Sequence, residues 1–115
     1  MARTALTVQT VITSGTGLAP SYATVDNANG NYFTWPGGRV FLHVKNTNAA
    51  TRTLTIDAPQ TIDGLAMTDP TYTIAATTGD HMIGPLSDKL VQTNGQVYLD
   101  WSAATNTSVA VITVP

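Results

Sequence analysis

Apolar and polar residues alternate along several stretches of this chain, which is the pattern of β-strands with one buried face. The clearest stretch is RVFLHVKN, residues 39–46, where every second residue is apolar and would face a core. The alternation returns over residues 51–59 after the turn residues TNAA, and the two segments predict an antiparallel hairpin. In the strand over residues 39–46 the predicted buried residues are Val40, Leu42 and Val44, and the predicted outer residues are Phe41, His43 and Lys45.

Further strands are predicted along the whole chain. Residues 5–14 are rich in Thr and Val and predict a first strand. Asn94-Gly95 lies between two apolar runs within residues 89–102, and this dipeptide favours the two-residue turn of a hairpin. Residues 107–115 are almost continuously apolar and predict a central strand that is buried on both faces. The other predicted strands are residues 71–78 and 81–86.

No segment has the period of an amphipathic helix, and turn signals recur about every 8–12 residues, as they do in sandwiches. The sequence therefore predicts an all-β fold, a single small antiparallel β-sandwich that is jelly-roll-like and has about eight strands. Residues 1–28 are predicted to form an N-terminal strand and a long connecting loop, and residues 29–115 the sandwich domain. Two interpretations of residues 5–14 stay open, because this strand either pairs inside its own sandwich or serves as an arm on a neighbouring chain.

Composition narrows the classes of function. The chain has 115 residues, of which 10% are charged, and all seven acids are Asp. Thr, which fits a pleated surface, makes up about a fifth of the residues. The net charge of −2 gives no basic surface for nucleic acid, and no run approaches the roughly 20 apolar residues of a membrane span. The N-terminus has no signal-peptide pattern, so synthesis in the cytoplasm is expected, and the absence of Cys excludes thiol chemistry.

The sequence predicts no catalytic, cofactor or metal site, and thus a protein that is not an enzyme. Asp80 and His81 are adjacent, but neighbours on a strand point to opposite faces and do not converge on one ligand. Gly84-Pro85 is expected to end or bulge the strand, because Pro donates no ladder hydrogen bond. Asp57, Asp63 and Asp69 recur at even spacing without the pattern of a calcium loop, and nothing brings His43 to His81.

A small aromatic cluster follows the long connection. Tyr32, Phe33 and Trp35 precede Pro36, and three roles stay open for them: closure of the core, a protein interface, or stacking on a sugar. Trp101 continues the apolar phase of its strand and is expected in the core. The residues predicted to contribute to an interface are Arg3, Tyr22, Tyr32, Trp35 and Pro36.

The order of these segments resembles small capsid proteins encoded in the head modules of tailed bacteriophages. A glycine-led strand ends in a V-x-N step at Val44-Lys45-Asn46, and a Thr-rich strand follows it. A later strand ends in an IGP step at Ile83-Gly84-Pro85, before a hairpin whose second strand alternates apolar and aromatic residues. The resemblance covers residues 29–115, and residues 1–28 match it only as an extended lead-in.

This resemblance implies a head decoration, or cement, protein that stabilises the outer surface of a phage capsid. It implies the major capsid protein as partner, self-association as a homotrimer at threefold or quasi-threefold positions, no cofactor, and location on the capsid exterior of the virion. Two other classes remain open. One is another virion component, such as a tail or head–tail protein, and the other is a carbohydrate-binding sandwich with Tyr32 and Trp35 as its platform.

Overall fold

The computed structural model describes residues 3–13, 15–59, 61–62, 64–66 and 68–114. Ser14, Asp63 and Pro115, which enter predictions above, lie outside these ranges. Within them the chain forms twelve strands and one short 3₁₀-helix, Asp88–Leu90. The strands are β1 (Thr4–Ala5), β2 (Val8–Thr10), β3 (Ala23–Thr24), β4 (Asn31–Thr34), β5 (Arg39–Asn46), β6 (Arg52–Ile56), β7 (Thr61–Ile62), β8 (Leu65–Ala66), β9 (Thr71–Ile74), β10 (Gly79–Ile83), β11 (Gln96–Trp101) and β12 (Thr107–Val114).

The strands form two mixed sheets that enclose one apolar core, an arrangement consistent with a small β-sandwich. Sheet A has the order β1-β4-β11-β6-β9. Sheet B has the order β10-β5-β12-β2, and β3 also pairs with β12. β7 and β8 pair only with each other as a separate short hairpin. The predicted all-β class is therefore confirmed.

The predicted alternation sorts side chains between the core and the two outer faces. On β5, Val40, Leu42 and Val44 are fully buried, and their neighbours point to the outer face of sheet B. Leu54 and Ile56 on β6 are also fully buried and meet the β5 residues in one core cluster. Burial of side chains of this size contributes about 1.5–3 kcal/mol each, which is why strict alternation selects one face of each strand.

The predicted hairpin between residues 39–46 and 51–59 is wrong. β5 pairs with β10 and β12 in sheet B, whereas β6 pairs with β11 and β9 in sheet A. Alternation identifies a strand with one inward face, but strands in facing sheets share that property, so the pattern does not choose the partner. The connection that crosses from β5 in sheet B to β6 in sheet A is held by Asn46. This residue is fully buried and donates from Nδ2 to the carbonyl oxygens of Ala50 (2.9 Å) and Ala75 (3.1 Å).

The prediction of a purely antiparallel sandwich of about eight strands is also wrong. Residues 5–14 form two short strands rather than one, since β1 joins sheet A and β2 joins sheet B. Both pair in parallel, β1 with β4 and β2 with β12. Parallel neighbours need a crossover of about a dozen residues or more. Residues 6–30, which include β2 and β3, link β1 to β4 and exceed that length, so the chain can return to run alongside its own beginning.

The turn at Asn94-Gly95 forms, but only one of its two predicted strands does. Gly95 takes a φ of +83°, which favours glycine, and its N–H donates to the carbonyl oxygen of Gln92 (2.9 Å). β11 follows this turn as predicted. The residues before it form the 3₁₀-helix instead of a strand, because the Ser87 hydroxyl caps the turn by accepting from the N–H of Lys89 (3.1 Å).

The prediction of a central strand near the C-terminus is confirmed. β12 pairs with β5 on one side and with β2 and β3 on the other. Four successive residues, Val109 to Ile112, are each no more than 5% exposed. Both faces of this strand are therefore buried, although only one of them faces the core between the sheets.

Leu54→Ala should lower the free energy of unfolding by about 2–5 kcal/mol, because it leaves a cavity at a fully buried site. The matched control is Thr53→Ala, whose side chain is exposed on the same strand and which should change stability by about 0.5 kcal/mol or less. Denaturant unfolding at a fixed protein concentration measures both. Equal effects of the two substitutions would contradict the assignment of the inward face.

Candidate functional site

The five residues predicted to form an interface do not lie on one surface. Tyr32 is on the outer face of sheet A, next to the buried Phe33, and Arg3 lies on that same face. Tyr22 lies on the outer face of sheet B, where it contacts His43. Trp35 and Pro36 belong to the loop between β4 and β5 at one end of the molecule.

Arg3 fastens the N-terminus to sheet A. Its Nη1 donates to Asp100 Oδ1 (2.9 Å) and to the carbonyl oxygen of Leu99 (3.2 Å). Its guanidinium group also lies 4.3 Å from the centre of the Tyr98 ring, and Tyr98 is the cross-strand partner of Tyr32. The Arg3 side chain is only 25% exposed, so most of it is already used within the chain.

The position of Arg3 depends on a glycine that approaches it closely. Gly30 has a φ of +80°, and a Cβ there would lie 2.3 Å from Nη1 of Arg3 and 2.7 Å from Oδ1 of Asp100. Any other residue would therefore displace the ion pair as well as strain the backbone. The N–H of Thr4 donates to the carbonyl oxygen of this glycine (3.0 Å). Gly30 therefore positions both β1 and the contacts of Arg3 with Asp100, Leu99 and Tyr98, which are named the Arg3 clamp.

A buried amide joins the N-terminal strand to the core. Asn31 is fully buried, and its Oδ1 accepts from Nε1 of Trp101 (2.9 Å) and from the N–H of Asp26 (2.9 Å). Its Nδ2 donates to the carbonyl oxygen of Thr4 (3.2 Å). Since an unpaired buried amide is costly, these partners fix β1 and the turn at Asp26 relative to each other. Trp101 is 6% exposed, and its predicted place in the core is confirmed.

Asp26 adds a second polar connection to β1. Its carboxylate accepts from the Thr4 hydroxyl (2.6 Å) and from the N–H groups of Ala28 and Asn29 (both 3.1 Å). The hydrogen bond from Thr4 is the main reason that the pKa of Asp26 lies below its usual value, and the Asn29 N–H adds to the effect. The ionised carboxylate is thus part of the attachment of the N-terminal segment.

Tyr22 fastens the same segment to the outer face of sheet B. Its hydroxyl lies 2.6 Å from Nδ1 of His43, and Nζ of Lys45 lies 4.2 Å from the centre of its ring. Nε2 of His43 contacts Oδ1 of Asp80 on the neighbouring strand. A neutral imidazole with its proton on Nε2 satisfies both partners, because Nε2–H donates to the carboxylate and Nδ1 accepts from Tyr22 O–H. This polar chain is named the Tyr22 latch.

Gln9 closes the connection between the two attachments. Its Nε2 donates to the carbonyl oxygen of Ser21 (2.8 Å), and its Oε1 accepts from the N–H of Ser21 (2.8 Å). This pair of hydrogen bonds between the Gln9 side chain and the backbone of Ser21 joins β2 to the segment that carries Tyr22. The long connection is therefore held at both ends beside β12.

The structure separates Asp80 from His81 as strand geometry predicts. Asp80 is exposed and joins the Tyr22 latch, whereas His81 accepts from the N–H of Ala75 through Nε2 (3.2 Å). The partner of Asp80 is thus His43, which is 37 positions away in the sequence. Sequence reasoning missed this pair, since it depends on the pairing of β10 with β5.

The aromatic cluster divides among three environments. Phe33 is fully buried in the core, and Tyr32 faces outward on sheet A. Trp35 packs partly buried against the core, and its backbone N–H donates to the carbonyl oxygen of Gly95 (2.9 Å). Pro36 is exposed at the tip of the loop. A flat sugar-binding platform would require both rings on one face of a sheet. Tyr32 and Trp35 do not share such a face.

Sheet B also carries an apolar groove of about 320 Å³ on its outer face near one edge. Met82 on β10 is 69% exposed at its rim, although it is a large apolar side chain. The rest of the lining comes from β5, from the end of β12 and from the Gly84-Pro85 step, which is a cis peptide. The lining residues are Arg39, Val40, Phe41, Met82, Gly84, Pro85 and Val114.

Arg52 is a charged residue that sequence reasoning missed. It is only 7% exposed at one end of the core. Its Nε donates to the Thr107 hydroxyl (3.2 Å), and its Nη2 donates to the carbonyl oxygen of Thr105 (3.1 Å). These bonds connect β6 of sheet A to the start of β12 in sheet B, so the guanidinium holds the two sheets together.

Within the residues that the structure describes, no three His or Asp side chains are grouped as ligands for a metal ion. In the same part of the chain, no helix has the length and apolar character needed to cross a membrane. The outer faces thus offer the polar contacts of the N-terminal segment and the apolar groove beside β10. Comparison with protein-family models, curated proteins and solved structures gave no match.

Arg3→Ala should loosen the N-terminal strand without unfolding the sandwich. We expect a loss of about 1 kcal/mol in global stability, because a partly exposed ion pair and a cation stacked on an aromatic ring each contribute little. Hydrogen exchange should accelerate most at the N–H groups of Thr4 and Leu6, which bond to Gly30 and Tyr32. The control is Lys89→Ala on the 3₁₀-helix, which should leave both amides unchanged. An unchanged rate of hydrogen exchange at the Thr4 N–H in Arg3→Ala would contradict the role of Arg3 in holding β1 against sheet A.

The Tyr22 latch should weaken in acid. The hydrogen bond from His43 is the main cause that lowers the pKa of Asp80 below 3.8, so the folded state binds the proton of this carboxyl less readily than the unfolded chain. The stabilisation is present above pH 3.8 and is lost as the pH falls through the folded-state pKa. Asp80→Asn should therefore flatten the fall in unfolding free energy below pH 4.

A double-mutant cycle supplies the control for this pH effect. In a His43→Gln background, Asp80→Asn should change the acid slope much less than it does in the parent chain. Urea unfolding at a series of pH values measures all four proteins. An equal change in both backgrounds would assign the effect to some group other than His43.

Proposed function

We propose that this chain is a decoration protein of a tailed-phage capsid, which is made in the host cytoplasm and binds the outside of the shell to stabilise it. Its partners are the major capsid protein and two further copies of itself, arranged as a homotrimer at threefold or quasi-threefold positions. Its role is structural rather than enzymatic. In this proposal the sandwich is a jelly-roll variant, with an N-terminal segment that reaches both sheets.

The observation that carries the proposal is the way in which residues 3–24 attach. β1 and β2 have two and three residues, and each adds in parallel to the edge of a finished sheet. Strand addition supplies affinity through main-chain hydrogen bonds and needs no catalytic or cofactor chemistry. A cement protein could bind a shell surface through the same kind of edge-strand pairing that this chain uses within its own fold.

The resemblance of residues 29–115 to small capsid proteins of head modules supports the same role. The chemistry of the surface agrees with it, because only 10% of the residues are charged. A Thr-rich exterior of this kind has few long charged side chains that would lose conformational entropy on binding. Individually weak contacts suffice on a shell, since a trimer that bridges several capsid subunits multiplies them through effective concentration. The separation of Tyr32 from Trp35 speaks against the sugar-binding alternative.

Shell binding can be tested with undecorated shells assembled from the major capsid protein encoded beside this chain. Purified protein should co-sediment with expanded shells and saturate at three copies for each threefold position. It should also raise the temperature at which the shells disassemble, since a ligand that binds only the intact state stabilises it. Leu54→Ala, mixed with shells at a temperature above its own melting temperature and below that of the parent chain, controls for nonspecific capture of unfolded chains.

The tail and head–tail alternatives are outcomes of the same test. Absence of binding to shells, together with binding to purified tails, would replace the capsid proposal with a tail role. Absence of binding to both particles would remove the virion proposal altogether.

A further inference from the structure

Large apolar side chains protrude at both edges of sheet B. Ile12, which follows β2, is 49% exposed, and Met82 on β10 is 69% exposed. The strand order β10-β5-β12-β2 places these residues at opposite edges of the same sheet. A soluble domain normally covers or charges its sheet edges, so two apolar edges call for an occupant.

The register of the strands places the end of β2 and the groove near β10 at the same level along sheet B. Thr10 lies beside Thr113, and Thr113 lies beside Val40 on the next strand. The N–H of Leu86 donates to the carbonyl oxygen of Val40 (2.8 Å), which brings the Gly84-Pro85 step to that same level. The residues just after β2 and the apolar groove near β10 therefore lie at the same end of sheet B.

The two surfaces also match in polarity, because both are nearly free of charged residues. Residues 10–20, TVITSGTGLAP, contain no charged residue, and Arg39 is the one charged residue that lines the groove. Arg39 is exposed and keeps its contact with water at the rim. Docking of Ile12 into the groove would bury apolar surface without leaving an unpaired charge in the contact.

We propose that the groove beside β10 receives the segment around Ile12 from a second copy of this chain. The contact joins two different surfaces, so it is head-to-tail, and such contacts close into a ring when the rotation between copies permits. Three copies close the ring in the homotrimer of the proposed function, on which this inference rests. A twofold contact of β10 with β10 would instead oppose the two Met82 side chains and leave Ile12 uncovered.

The absence of Cys in the natural chain makes the contact directly testable by crosslinking. In a chain that carries both Ile12→Cys and Met82→Cys, three strand spacings alone separate the two positions by roughly 14 Å. The register adds to this distance, because Met82 lies level with Ala110 whereas Ile12 follows Thr10, which lies level with Thr113. A disulfide requires Cα atoms within about 7 Å, so a bond between positions 12 and 82 must join different chains. Oxidation with diamide should yield covalent trimers on a non-reducing gel.

The single variants are the controls. Neither Ile12→Cys nor Met82→Cys alone should crosslink efficiently in a head-to-tail ring, because identical positions are not opposed. Efficient dimers from Met82→Cys alone would establish the twofold contact and overturn the inference.

A second measurement separates this inference from the proposed function. Met82→Ser should weaken trimer association at least tenfold in sedimentation equilibrium, while the melting temperature measured at concentrations where both proteins are monomeric stays unchanged. Leu65→Ser, at a side chain that is 73% exposed on the separate β7–β8 hairpin, should leave association unchanged. Trimers that neither crosslink nor respond to Met82→Ser would overturn the inference and leave the proposed trimer standing. A parent chain that stays monomeric at micromolar concentration would overturn both.

Discussion

Burial of both faces of β12 is the constraint on which the rest of the structure depends. Val109 and Val111 face the core, but Ala110 and Ile112 face away from it and are only 2% and 5% exposed. The N-terminal segment lies beside these two residues, because Gln9 on β2 is the cross-strand partner of Ile112, and Tyr22 bonds His43, the cross-strand partner of Ala110. The described part of this segment therefore belongs to the fold.

The attachments of that segment explain how one chain can be both stable and able to bind at its edges. They consist of strands of two or three residues together with the Arg3 clamp, the Gln9 bonds and the Tyr22 latch, which are all at least partly exposed to water. Such elements open at lower free energy than the core strands do. The parts of the protein that we propose to contact a shell or a neighbouring copy lie next to these elements.

The sequence alone predicted the strands with regular alternation and the doubly buried β12, because burial on one or two faces leaves a direct imprint on residue order. It did not predict which strands pair. β5 and β6 carry the same alternation yet lie in facing sheets, and the pairing that joins Asp80 to His43 depends on that choice. Of the five predicted interface residues, Arg3 and Tyr22 bond within the chain, which no local pattern reveals.

The central claim is that this sandwich is a decoration protein that stands as three copies on a capsid. Electron cryomicroscopy of shells incubated with the protein tests it most directly. The account predicts threefold-symmetric density on the outer shell surface into which three sandwiches fit, with residues 3–24 at the contacts. Density confined to the tail or portal vertex, or shells that remain bare at saturating protein, would contradict it.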